Sequence, residues 1–345
     1  MTARTLITGG AGFVGTNLAD RIASDGGRVI VFDNLSRPGV EDNLRWLTRR
    51  HPGAIDVEIA DLGDERAVAR ALAASHRAFH LAAQVAVTTS LDEPVRDATV
   101  NLNGTINLLE AARARPTPPA LLFTSTNKVY GGLGDVELGE QATRYEPLDP
   151  ALRGSGIAES RPLQFCTPYG CSKGAADQYV LDYAHSYGLA TVVFRMSCIY
   201  GPHQCGNEDQ GWVAHFLMSA LSGRPITVFG DGKQVRDVLF VEDLVDAFLL
   251  ADAGVQRLAG RAFNIGGGPL NCLSLVELIE LIAERQGERP RVAFGPWRRG
   301  DQRYYVSDTS AFTAATGWRP RVAPPEGVRR LHAWLTARLT VAAAA

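Results

Sequence analysis

Apolar and polar positions alternate in two rhythms along the first half of the chain. Short apolar runs, RTLITGG, RVIVFDN, AIDVEIAD, RAFHLAA and ALLFTST, each end in small or polar residues. Between them lie longer amphipathic stretches such as FVGTNLADRIAS and ERAVARALAAS. That order predicts a doubly wound α/β fold, a parallel sheet of Rossmann type covered by helices, with ligands at the carboxyl edge of the strands. TVVFRMS and AFNIGG read as later strands of the same sheet. The segment from about Gly201 to Val235 is irregular and is expected to lie over the active site. SLVELIELIAERQG is an amphipathic helix of a smaller α/β unit, and TVAAAA is expected to be a frayed tail. The expected division is 1–198 with 235–266 for the dinucleotide unit and 199–234 with 267–340 for the substrate unit.

Composition narrows the function classes. The 345 residues carry a net charge of −2 and no block of like charge, which argues against a nucleic-acid surface or a polybasic membrane anchor. Neither an apolar run of spanning length nor a signal-peptide pattern is evident. Five cysteines (Cys166, Cys171, Cys198, Cys205 and Cys272) form no CxxC pair. A cytoplasmic protein without disulfides is expected. His203 and His215 lack companion ligands, so no metal is expected.

The chemistry begins at TGGAGFVG, where Gly9, Gly12 and Gly15 stand between a strand and a helix. Such a turn lets backbone amides approach a pyrophosphate. Asp33 ends the next strand, where a carboxylate accepts from a ribose 2′-hydroxyl and repels a 2′-phosphate; NAD is expected over NADP. Arg37 is the residue that speaks for a phosphate there. Asp61 can meet the adenine or cap the helix after it. His80 reads as a packed histidine, and Trp212 as a ring that stacks on a ligand or packs under a lid. Asp237 and Glu242 read as structural.

Farther on, Tyr169 and Lys173 stand one turn apart on a predicted helix. An ammonium beside a phenol favours the phenolate, which can take a proton from a sugar hydroxyl. Thr126, in STNKVYG, supplies a second hydroxyl.

TGGAGFVG, Asp33, HLAAQ, STNKVYG, YGCSK, RMSCIYGP and QVRDVLFVEDL together resemble the extended short-chain dehydrogenase/reductase family, the nucleotide-sugar epimerases and dehydratases. The resemblance runs over nearly the whole chain. It implies Thr126, Tyr169 and Lys173 as the catalytic triad and tightly held, recycled NAD as cofactor. It places the cofactor against Gly9, Gly12, Phe13 and Val14 at the glycine turn, and Asp33, Asn34, Ser36 and Arg37 after the second strand. Asp61 and Leu62 follow from the third strand and Leu81, Ala82, Ala83 and Gln84 from the fourth. Asn101, Thr124, Met196 and the Tyr169–Lys173 pair complete the set. Substrate contacts are implied for Gln84, Thr88, Thr89, Thr126, Asn127, Gln204 and Val228, with Arg236 and Arg303 on the diphosphate.

Family members that eliminate water carry an Asp-Glu pair directly after the catalytic hydroxyl residue. Here Asn127 and Lys128 stand there, and neither supplies a carboxyl. Oxidation and re-reduction at one carbon is the reaction left. VFDNLSRPGVEDNLRWL, QVAVTTSLDEP and DQGWVAHF look like the family members that invert carbon 2 of CDP-linked dideoxyhexoses. Inversion at carbon 4 of a UDP-hexose and an NAD-binding regulatory module are the alternatives. The family pairs helices across a two-fold axis, so a homodimer or homotetramer is expected.

Overall fold

A computed structural model of the chain describes residues 4–207 and 210–344. Seven parallel strands make its centre. They are β1 (Arg4–Thr8), β2 (Arg28–Asp33), β3 (Ile55–Ile59), β4 (Ser75–His80), β5 (Ala120–Thr126), β6 (Thr191–Met196) and β7 (Arg261–Ile265). Their order across the sheet is β7-β6-β5-β4-β1-β2-β3. The order reverses between β1 and β4, and a crevice opens there at the carboxyl ends of the strands. The registers Thr8↔Phe32 and Thr8↔His80 bring three strand ends level at that crevice.

Helices cover both faces because the central strands are apolar on both sides. On one face Leu18, Ile22, Val29, Val31, Phe248 and Phe263 share a buried core; on the other Leu6, Phe32, Leu72, Leu108, Phe123 and Val180 share a second. Each such side chain contributes roughly 1.5–3 kcal/mol by leaving water.

The smaller unit surrounds Phe216, Leu217, Leu278, Ile282, Leu331 and Val328. Its helix Leu275–Gln286 starts from a reciprocal capping box between Ser274 and Glu277. Three findings differ from the sequence reading. Strand Val235–Phe240, assigned to the dinucleotide unit, pairs instead with Cys198–Tyr200, Cys272–Ser274 and Tyr304–Tyr305. Val228, expected at the substrate, is wholly buried, so its side chain fills the small unit's core. The alanine-rich tail is helical to Ala344, since alanine has the highest helix propensity and the preceding turns are already formed.

His80, at the end of β4, is fully buried between two hydroxyls, Thr8 Oγ1 at 2.7 Å from Nδ1 and Thr105 Oγ1 at 2.9 Å from Nε2. Thr105 donates its own proton to the Asn101 carbonyl, so it accepts from Nε2–H, and Nδ1 accepts from Thr8. Protonation has no place here, and burial pushes the imidazole down to about 3. Between about pH 6.5 and that value the unfolded chain binds a proton that the folded chain refuses. His80 therefore lowers stability as pH falls through this window, by up to about 1.4 kcal/mol per pH unit. In urea melts from pH 7 to 4, His80→Gln will flatten the acid slope by up to one proton; an unchanged slope would contradict the assignment.

Candidate active site

The cofactor cradle forms at the β1 turn. Gly9, with φ of 68°, lies so close to the chain leaving β4 that a β-carbon would stand 2.7 Å from the Ala82 nitrogen. Helix Phe13–Ser24 then starts at Gly12 with no side-chain cap and no acidic residue in its first turn. Amides near Phe13 and Val14 are thus left for an anion, which the helix dipole favours. Asp33 braces this turn: Oδ2 accepts from the Ala11 amide at 3.0 Å and Oδ1 from the Leu35 amide at 2.9 Å. Burial raises its pKa while those amides and Arg37 pull it back. Each carboxylate oxygen keeps acceptor capacity for a ribose hydroxyl. The cradle fits a dinucleotide.

Asp61 is not the helix cap. Asp64 caps helix Glu65–Ala73, accepting from the Arg66 and Ala67 amides at 3.1 and 3.0 Å. Asp61 instead accepts from Asn34 Nδ2 at 2.7 Å, joining the loops after β2 and β3 at the cradle rim. Ser36 donates its amide to Asn34, and Arg37 is hydrogen-bonded to Gln210. Leu62 is buried, against Gly104. Leu81, Ala82 and Ala83 run along the Gly9 turn, tied by the Leu81 amide to the Thr8 carbonyl at 3.1 Å. Asn101 accepts from the Gln84 amide at 2.9 Å and donates to the Gln84 carbonyl at 3.0 Å, so its side chain is spent on positioning that loop. Thr124 is likewise spent on the His80 carbonyl. Met196 closes β6 beside Thr126.

The candidate reacting groups meet on the other side of the crevice. Thr126 ends β5; Tyr169 and Lys173 lie on helix Thr167–Tyr187, both almost fully buried. Ser90 Oγ accepts from the Tyr169 amide at 3.1 Å, anchoring the helix start. Thr126 is the side chain that draws the phenol's pKa down. Electrostatics differs from the sequence expectation. Lys173 Nζ lies 4.0 Å from the centre of the Phe123 ring, and Asp177 and Asp97 are the charges that act on it. Burial pushes Tyr169 up to about 12, against the pull of Thr126 and Arg37, and pushes Lys173 down to about 7. Desolvation outweighs the helical neighbour, because both charged forms lose water.

The sequence did not reveal what holds this pair. Asp97, buried, is hydrogen-bonded to Ser172 and accepts from Asn101 Nδ2 at 3.2 Å. The only signal was an acidic residue at helical spacing from Asn101, which is too common to single out.

Substrate candidates divide in two. The Thr88 hydroxyl is buried with no partner, and Gln204 donates to the Ile199 carbonyl at 3.1 Å with its carbonyl oxygen unpaired; both are open to a ligand. Thr89 is half-buried on the same short helix. Gln84 closes on Ala86 through both ends of its amide, and Asn127 accepts from Thr126 Oγ1 at 3.3 Å. Arg236 donates to Asp301 at 2.7 Å and to the Gln302 carbonyl at 2.5 Å. Arg303 is exposed, near the rings of Tyr145 and Trp297. Trp212 packs against Phe216, and Cys198 beside it has its pKa raised by burial. Asp237 is bonded to Ser197 and the Gly268 amide, and Glu242 pairs with Arg330 at 2.9 Å, both structural. Among the described residues no cluster suits a metal and no helix is long and apolar enough to cross a membrane.

Residues 5–266, from β1 through β7, match the NAD dependent epimerase/dehydratase family. The chain belongs to that family. The family is NAD-dependent, and NAD is the cofactor of this epimerase/dehydratase. The chain is 45% identical to CDP-paratose 2-epimerase of Salmonella typhi over 96% of its own length and 98% of that protein. It is 36% identical to UDP-glucose 4-epimerase of Mycolicibacterium smegmatis over 95% and 96%. UDP-glucose 4-epimerase of Thermus thermophilus, solved as a complex with NAD, superposes with a TM-score of 0.80 at 32% identity, over 96% of this chain and 99% of that one.

Proposed function

We propose that the protein is an isomerase that inverts carbon 2 of a CDP-linked hexose, by transient oxidation to a 2-keto sugar and re-reduction on the other face. The observation that carries this reading is the pair after Thr126. A buried amide and an ammonium stand where elimination needs two carboxyls, beside an intact Thr126–Tyr169–Lys173 set. The full-length likeness to a CDP-paratose 2-epimerase supports carbon 2 and the CDP handle.

Tyr169 takes the proton of the carbon-2 hydroxyl while Thr126 holds the same oxygen by hydrogen bond. NAD⁺, when bound, would supply the hydride acceptor. Lys173 holds a cationic charge at the foot of the pair, maintained by Asp177 and Asp97. The burial of Tyr169 and Lys173 keeps water from the pair while the ketone turns. Tyr169 then returns the proton to the same oxygen, so the cycle is balanced and redox-neutral.

Inversion at carbon 4 of a UDP-hexose is the second reading, favoured by the 36% likeness to a UDP-glucose 4-epimerase. Purified protein without added NAD⁺, incubated in D₂O with CDP-paratose and UDP-glucose and followed by proton NMR, separates the two. Carbon-2 inversion without deuterium uptake is expected. Carbon-4 inversion alone would replace the reading, and deuterium at the inverted carbon would overturn hydride return.

The expected setting is a cytoplasmic homodimer or homotetramer. Tyr179 and Tyr187 stand exposed on helix Thr167–Tyr187, and a second copy would cover them.

A further inference from the structure

Neither the acid/base pair nor the cofactor cradle uses Lys128. Its amide donates to Thr126 Oγ1 at 3.2 Å, and its carbonyl lies against the first turn of the Tyr169 helix, 3.4 Å from where a Gly170 β-carbon would stand. The side chain runs from there toward the small unit, where Nζ donates to the Gly300 carbonyl at 3.1 Å. An ammonium has three donors, so two remain. Arg236, Asp301, Cys198 and Cys166 are the titratable groups around it. Asp301 is the only carboxylate among them, and Arg236 holds it at 2.7 Å. Among these groups, two cations therefore share one carboxylate. Burial and Arg236 lower the ammonium to about 8, which measures the cost of keeping it there. A ligand anion is what relieves such a cluster.

We propose that Lys128 binds the phosphate attached to the sugar's anomeric carbon, and that this contact selects carbon 2 as the reacting centre. The inference rests on the carbon-2 reading above. Its argument is the geometry of a hexose. Carbon 2 is bonded directly to the anomeric carbon, so an oxygen held there by Thr126 and Tyr169 places the phosphate close by, within the neighbourhood that Lys128 shares with Thr126. Carbon 4 lies across the ring from the anomeric carbon. A sugar reacting at carbon 4 would put the ring between the catalytic hydroxyl and the phosphate, farther from a side chain two residues from Thr126. The same cation at the position after Asn127 also removes a carboxyl that elimination requires.

The test uses the protein as purified and the variants Lys128→Met and Lys128→Arg. Calorimetry with CDP and with CMP reads the contact, since the two nucleotides differ by the terminal phosphate. NMR assays read carbon-2 turnover. In Lys128→Met, affinity for CDP and kcat/KM should fall about 10- to 100-fold, the range for losing a hydrogen bond to a charged group. CMP binding should stay unchanged, and Lys128→Arg should keep most of both. Equal loss of CDP and CMP binding with a lower Tm would overturn the proposal, because Lys128 would then only tether the Gly300 loop. Unchanged CDP binding would overturn it too. If the native protein inverts no carbon-2 centre, the functional reading fails by itself, and the CDP-over-CMP contrast still decides whether Lys128 holds a phosphate.

Discussion

Tyr169→Phe will lower turnover by about 10³- to 10⁴-fold while leaving the fold and the bound cofactor in place, at the upper range for losing a positioned acid/base. The substitution removes one oxygen from a ring that is 9% exposed and already packed. What fixes the ring is retained, because Ser90 holds the Tyr169 amide rather than the phenol. Thr126 keeps its bonds to Asn127 and the Lys128 amide. The loss should therefore fall on kcat rather than on substrate affinity, since an interaction made during proton transfer adds little to ground-state binding. Two readings check this: the NMR rate of inversion, and the NAD content of protein denatured after purification. Activity within tenfold of the native protein would remove Tyr169 from proton transfer. Loss of NAD would show instead that the phenol holds the cofactor.

That pair was legible because its geometry is local. Four residues on a helix fix a shared face whatever the rest of the chain does. The same holds for the glycine turn, where Gly9, Gly12 and the helix start follow closely, and for the sheet, most of whose strands carry short apolar runs. The direction of the pKa shifts was not legible. Tyr169 rises rather than falls because desolvation sums over everything that covers it, and the Ser90 segment that packs there comes from a distant part of the chain. Lys128 beside Gly300 is such a long-range meeting as well. Val228 was hard to place for the same reason: a strand that alternates toward a second core looks, in sequence, like one that borders a ligand. The pairing of Val235–Phe240 with three short strands depends on the small unit being assembled around it.

The largest stability effect sits one turn beyond Lys173. Asp177 is fully buried and accepts from Arg195 on β6 through both oxygens, Nε and Nη2 each at 2.9 Å. Arg195 continues to the Tyr130 hydroxyl at 3.2 Å, and Tyr130 donates to Asn264 at 2.7 Å. Asp177→Asn leaves that guanidinium buried without its counter-ion, which should cost about 3–5 kcal/mol. Urea melts will show a lower midpoint with the slope unchanged. A drop under about 1 kcal/mol would mean that water or Tyr130 takes up the charge, the outcome usual for exposed pairs. A second consequence is separable from the first. The carboxylate is the foremost charge favouring the Lys173 ammonium, so its loss drives that group further below about 7. In the folded fraction the alkaline limb of the pH–rate profile should move toward acid, and activity lost at neutral pH should return as pH falls. Asp177→Leu combined with Arg195→Met distinguishes the two effects. An apolar pair of similar volume recovers much of the stability, because neither charge is then buried. It does not restore the carboxylate, so the shifted profile must persist. If stability and profile recover together, Asp177 acts on the site only by holding helix and sheet in register; if the profile stays shifted, the charge beneath Lys173 is part of the catalytic machinery.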